Sequence, residues 1–136
     1  MDIQDGLFDV ATDAPRALTV RQPWAGLIVA GIKGVENRSH PTSYRGTLLI
    51  HAGLGADADA MAEHGGRLGE YPAGAIIGAV DVIGCVRDSP SPWAAEGQWH
   101  WILANPRACE PVPASGALSL WKPSAAQQEQ VAATLA

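Results

Sequence analysis

The chain has 136 residues, the size of one ordinary domain, and 47% hydrophobic against 17% charged residues gives it material for a core of its own. No run of 18 apolar residues occurs, so no helical membrane span is expected. The N-terminus (MDIQDGLFDVATDAP) is acidic, without the basic-then-apolar layout of a secretion signal. The net charge of −5 argues against a track for long nucleic acid.

Residues 1–15 show no hydrophobic period and are expected to form a flexible acidic leader to a single domain over 16–136. Ala17–Val20 reads as a short strand. Pro23 follows at the opening of a helix, where its missing N–H is no loss. Pro23 is expected at the first helical position, Trp24 to Ala30 continue the helix, and Gly31 ends it in the C′ position, where positive φ is cheap. Val35–Arg38 reads as a strand with Glu36 and Arg38 on one face. Thr47–His51 is a third strand, and Ala56–His64 a short helix closed by Gly65-Gly66. Gly74–Val86 is the longest apolar strand, with Gly78 and Gly84 at expected bulges or bends. Trp99–Ala104 alternates as a further strand, placing Trp99 and Trp101 on one face as a core or barrel-wall feature and His100 on the other. Ala117–Trp121 is the last strand, before a helix capped by Ser124 with Gln127 three residues on. About six short strands, two or three helices and no βαβ rhythm predict an α+β domain built on a partly open, antiparallel or mixed small barrel.

Two features carry chemistry. Between residues 16 and 56 the bases are Arg16, Arg21, Lys33, Arg38 and Arg45, and the sole acid is Glu36. Within that basic segment, Gly31-x-Lys33-x-x-Glu36-x-Arg38 sets a base, an acid and a base around a helix end and a strand start. These residues fit either a surface ion-pair cluster, worth under about 1 kcal/mol, or the lining of a cleft. Five Trp against one Phe point to a groove edge, since Trp combines a large apolar face with one N–H to satisfy. Cys85 and Cys109 read as buried free thiols rather than a disulfide, which fits a reducing, cytoplasmic setting. No C-x-x-C or H-x-x-x-H spacing predicts a metal site, Gly53-Leu54-Gly55 is not followed by a phosphate-loop lysine, and no cofactor is expected.

The stretch RQPWAGLIVAGIKGVENR resembles the signature of the ASCH (activating-signal-cointegrator homology) family, in which a Q-P-W-A helix precedes G-x-K-x-x-E-x-R. YRGTLLIHAG, GAIIGAVDVIGCV, WHWILANPR and PVPASGALSLWKP follow in the same order, so the likeness spans roughly residues 17–123. The resemblance implies a PUA-like β-barrel with a cleft beside its first helix, and an association with RNA binding and nucleoside chemistry. Carried over position by position, Lys33, Glu36 and Arg38 line the cleft, Gln22 and Trp24 form one wall, and His51 and Asp81 sit on neighbouring strands. Asp81, in an otherwise apolar strand, needs a charge partner, and Lys33, Arg38 or Arg21 is expected.

Three activities fit these groups. In the first, RNA, a short single strand or a nucleotide binds. Lys33, Arg38 and Arg45 hold phosphates, Trp24 or another Trp stacks a base, and Glu36 accepts from a base edge, with Arg21, Gln22 and Asp81 beside them. In the second, the cleft is an amidohydrolase removing an acyl group from modified cytidine, as in a small bacterial branch of the family. That branch pairs the lysine with a Thr three residues later, where this chain has Glu36. In the third, the domain cleaves single-stranded RNA, with Lys33 and Glu36 assisted by Tyr44 or His51. Many relatives carry lysines before the last strand, whereas Pro113–Ala117 here holds no charge, which favours a short or small ligand.

Overall fold

The computed structural model describes residues 14–136, so nearly all of the expected leader lies outside the described residues. The elements are β1 (Arg16–Gln22), α1 (Trp24–Val29), β2 (Val35–Arg38), β3 (Gly46–Ala56), α2 (Ala58–His64) with a 3-10 turn at Gly65–Arg67, β4 (Ala75–Val86), β5 (Trp99–Pro113), β6 (Leu120–Trp121) and α3 (Ala125–Thr134). The strands form one mixed sheet in the order β2-β5-β4-β3-β1-β6, with β1 and β3 parallel and the other pairs antiparallel. It curls into a half-barrel, the α+β PUA-like architecture that the resemblance implies.

Apolar residues alternate across the sheet and feed two cores. Leu18, Val20, Leu48, Ile50, Val80 and Val82 meet Ile28 and Val29 of α1 on one face, while Ala17, Leu49, Ile76, Ala79 and Val112 meet Val131 of α3 on the other. β3 is central and buried on both faces from Leu48 to Gly53, which is why it reads as an unbroken apolar run.

Helix α1 is the element that positions the site. Its C-terminus closes in a Schellman arrangement, Gly31 N–H donating to Ile28 and Ile32 N–H to Leu27 (both 3.0 Å), with Gly31 at φ +81°. Pro23 stands one place earlier than expected, at the N-cap. The helix lies directly on β4 at Gly78, where a Cβ would come within 2.6 Å of Val29 and 2.4 Å of the Arg107 carbonyl. A side chain there would push α1 off the sheet.

Other boundaries differ from the sequence reading for identifiable reasons. β5 runs nine residues past Ala104, because Asn105 and Pro106 are absorbed by a bulge opposite β4 between Ala79 and Asp81. β3 extends to Ala56 because Gln22 pairs with Ala56 after a second irregularity in β1. α2 starts at Ala58, since Asp57 accepts from Ala60 N–H and caps it. β6 shrinks to two residues, leaving 114–119 as a loop. α3 carries the full Ser124–Gln127 capping box. Cys85 and Cys109 are free but half-buried rather than buried, and burial raises the Cys109 thiol above its ordinary value.

Candidate functional site

The turn after α1 delivers Lys33, and β2 delivers Glu36 and Arg38 from one face against Trp101 and Trp99 of β5. Lys33 is 4% and Glu36 7% exposed, so this is a buried arrangement rather than a surface cluster. The Glu36 carboxylate takes one cation on each oxygen, with Lys33 Nζ 3.5 Å from Oε1 and Arg38 Nη1 3.2 Å from Oε2. Lys33 also donates to the Val35 carbonyl and lies 5.6 Å over the Trp24 ring. Burial pushes Lys33 below the ordinary lysine value, and the Glu36 carboxylate pulls it part of the way back. The Arg38 side chain is 30% exposed and its guanidinium sits 5.9 Å over Trp101.

These groups open into a cleft of about 820 Å³, within the usual range for small-ligand sites. Arg21, Arg38 and Arg67 stand around it, with Glu63 as an acidic counterweight. Its aromatic wall is made of Trp24, His64 and Trp93. Trp24 and Trp93 meet edge-on at 75° with centroids 6.3 Å apart, and Arg67 lies 5.6 Å over Trp93. The Trp24 indole is held from behind. Trp24 Nε1–H donates to Asp57 at 3.4 Å, and the Asp57 carboxyl is held below its usual range chiefly by the Ala60 backbone bond.

The loop carrying Trp93 is gripped by Asn37. Its Nδ2 donates to the Trp93 carbonyl and its Oδ1 accepts from Ala95 N–H, both at 2.9 Å. Buried His100 clamps the same loop, accepting from Ser89 N–H on Nδ1 (3.1 Å) and donating from Nε2 to the Ala95 carbonyl (2.7 Å). Those partners require the neutral Nε2–H tautomer.

Of the residues singled out from the sequence, Arg21, Trp24, Lys33, Glu36 and Arg38 come together on this cleft. The others lie elsewhere. Gln22 is buried behind the wall, accepting from Gly26 N–H and donating to the Pro72 carbonyl (both 2.8 Å), so it braces α1 instead of facing ligand. Arg45 turns back on the carbonyls of Thr42 and Tyr44. Tyr44 donates its hydroxyl to the Thr47 carbonyl and accepts from Arg16 N–H. His51 is buried beside a second groove, bonded to Thr19 Oγ1 (3.1 Å) and the Ala114 carbonyl (2.7 Å). Asp81 corrects the expected pairing. Its partners are Arg107 at 3.2 Å, Asn105 at 2.8 Å and Thr47 at 3.4 Å, none of them Lys33, Arg38 or Arg21. The bulge that carries β5 past Ala104 brings Asn105 and Arg107 onto Asp81, which the shorter strand read from the sequence could not supply.

Sequence reasoning passed over Trp93, His64, Arg67 and Asn37. Trp93 sits in a Ser-Pro-rich loop without periodicity, and only the surplus of Trp pointed that way. Among the described residues no group of three His, Cys, Asp or Glu side chains is placed to hold a metal ion.

Residues 18–113 match the ASCH domain family. The chain belongs to the ASCH domain family. Over an alignment of 96 positions the chain is 38% identical to activating signal cointegrator 1 of Homo sapiens and, to the same degree, of Mus musculus. The match covers 62% of this chain and 16% of each relative, so the ASCH domain described here corresponds to a small part of those longer proteins. The matched span takes in β1 to β5 and hence Arg21, Trp24, Lys33, Glu36, Arg38, His64, Arg67 and Trp93, while β6 and α3 fall beyond it.

Proposed function

We propose that this ASCH domain binds RNA, as a short single-stranded segment or a single nucleotide, in the cleft built on Lys33, Glu36 and Arg38. The observation that carries the reading is the juxtaposition of solvent-reaching guanidiniums (Arg21, Arg38, Arg67) with two indoles (Trp24, Trp93) on one cavity. Guanidiniums suit phosphate and indoles suit base faces, and unpaired bases on aromatic platforms are the usual way single strands are held. The family membership favours the same class of ligand. The overall charge of −5 and the uncharged 113–117 segment favour a short ligand over a long one.

The test is fluorescence anisotropy of a labelled pentaribonucleotide at several salt concentrations. Three phosphate contacts give a log–log salt slope of about −2 for a single strand, and Arg67→Ala reduces it by about 0.7. Absence of binding at every salt concentration refutes the proposal.

A hydrolase in the same cleft is the second reading, and one feature favours it: a buried lysine with a weakened hold on its proton beside a carboxylate. Lys33 would then be the base, acting on water. Tyr44 and His51, the assistants expected for RNA cleavage, have their polar atoms engaged elsewhere. Incubation with single-stranded RNA or N-acylated cytidine, comparing wild type with Lys33→Ala, decides it. Turnover that survives the substitution excludes Lys33 as the base.

A further inference from the structure

We propose that the corner between Trp24 and Trp93 is the seat of one nucleobase, and that His64 is a resident placeholder which the bound base displaces. This rests on the nucleotide-binding reading above and assigns it a subsite and a gate.

The imidazole of His64 packs against both indoles, its centroid 5.4 Å from Trp24 and 5.3 Å from Trp93, tilted 54° and 57° to them. It is a flat heteroaromatic ring with polar edges, filling a space with π-walls on two sides. A pyrimidine or purine has the same character and a larger face.

The Trp24 and His64 rings are secured very differently, while Trp93 is held through the backbone of its loop. Trp24 is tied to Asp57, and the Trp93 loop to Asn37 and His100. The His64 carbonyl accepts from the Tyr71 hydroxyl at 3.1 Å, but the His64 ring has no anchor. Its Nδ1 is buried with no hydrogen-bond partner, the one such side-chain atom among the described residues. Its Nε2 is 3.7 Å from the exposed Glu63 carboxylate, beyond a hydrogen bond. An orphaned buried nitrogen is an unfavourable arrangement that movement toward water relieves.

The backbone allows that movement. His64 is the last residue of α2, a helix that buries only Ala60. Gly65 and Gly66 follow, and Gly66 has open space where a Cβ would lie. Rotation of the His64 side chain, or a small shift at the glycine pair, empties the corner without disturbing the sheet. A base then stacks on one indole and meets the edge of the other, while Arg38 and Arg67 remain for its phosphate.

Because a placeholder competes with ligand, the population of open corner scales the apparent affinity. The two roles available to His64 therefore predict opposite signs. The experiment is isothermal titration of the full chain with cytidine 5′-monophosphate and, separately, ribose 5-phosphate. His64→Ala is expected to tighten the nucleotide by roughly fivefold or more and leave ribose 5-phosphate unchanged. His64→Phe, which fills the corner permanently, is expected to weaken the nucleotide by a similar factor. If His64 were instead a stacking partner for the base, His64→Ala would weaken binding and His64→Phe would preserve it, and that pattern overturns the proposal. Wild-type binding that neither substitution alters overturns it too, while leaving the nucleotide reading intact. No heat from wild type or His64→Ala with either probe sinks both.

Discussion

Replacing Glu36 by Gln probes the buried charge cluster at its centre, because that one carboxylate faces two cations. At the 3.5 Å separation from Lys33, an effective dielectric of about 20 gives an attraction of about 5 kcal/mol. That figure is a ceiling, since both groups surrendered water to reach the interior. Removing one member of a buried pair usually costs about 3–5 kcal/mol, because the other charge is left uncompensated. Lys33 escapes part of this by shedding its proton, since burial already pushes it below 10.5 and Glu36 is what opposes the shift. The expected destabilisation at neutral pH is therefore about 2–4 kcal/mol, read from urea unfolding followed by Trp fluorescence.

The sign of the pH dependence follows from the same balance. Below the folded-state pKa of Lys33 both folded and unfolded chains hold the proton, and the native state bears the burial penalty. Between that value and the unfolded 10.5 only the unfolded chain holds it, so the lysine's contribution makes stability rise with pH across the window and level off above it. Glu36→Gln widens the window downward. The chain has just two lysines, Lys33 and Lys122, so carbon-13 labelling at Cε follows the shift directly. A loss below about 0.5 kcal/mol, with the Lys33 titration unmoved, would show that the cluster behaves as a solvated surface pair and refute the reasoning.

Lys33→Met is expected to destabilise less than Glu36→Gln, because Glu36 keeps Arg38 at 3.2 Å and a buried charge is removed rather than stranded; the same urea curves decide. Asn37→Ala breaks both bonds to the Trp93 loop, so hydrogen exchange at 93–97 accelerates and nucleotide affinity falls, with a stability loss of about 1–3 kcal/mol. Gly78→Ala drives a Cβ into Val29 and the Arg107 carbonyl and is expected to lower stability by about 3 kcal/mol or more, measured by thermal unfolding. Asp81→Asn leaves nucleotide binding unchanged, since Asp81 faces Arg107 and Asn105. Its carboxyl is held low chiefly by Asn105, so its contribution is present above about pH 4 and fades as pH falls through the depressed folded value; acid titration of the two proteins checks this.

The parts of the fold legible from sequence are those written in local chemistry. Gly31 after an apolar helix, the Ser124–Gln127 box and the alternation of Val35–Arg38 each name a structure that a few neighbouring residues determine. β5 was less legible, because Asn105-Pro106 is a local break signal that pairing with β4 overrides through a bulge. The site divides in the same way. Lys33, Glu36 and Arg38 are within six positions of one another, and a helix end followed by a strand is enough to gather them. His64, Arg67 and Trp93 reach the cleft from α2, the turn after it and a distant loop, through contacts such as Asn37 to Trp93 that no spacing encodes. Asp81 shows the reverse error: the strand position was read correctly, but the partner was sought among cleft cations when the bulged β5 supplies Arg107.

The five indole N–H groups make nitrogen-15 correlation spectra the most direct test of a base-binding cleft. Titration with an unlabelled pentaribonucleotide at low salt is predicted to shift the Trp24 and Trp93 indole signals. The Trp121 signal, whose N–H is engaged by Thr19 at 3.0 Å next to His51, is predicted to stay in place. Unmoved spectra, or shifts confined to Trp121, would contradict the assignment of this cleft as the nucleotide site.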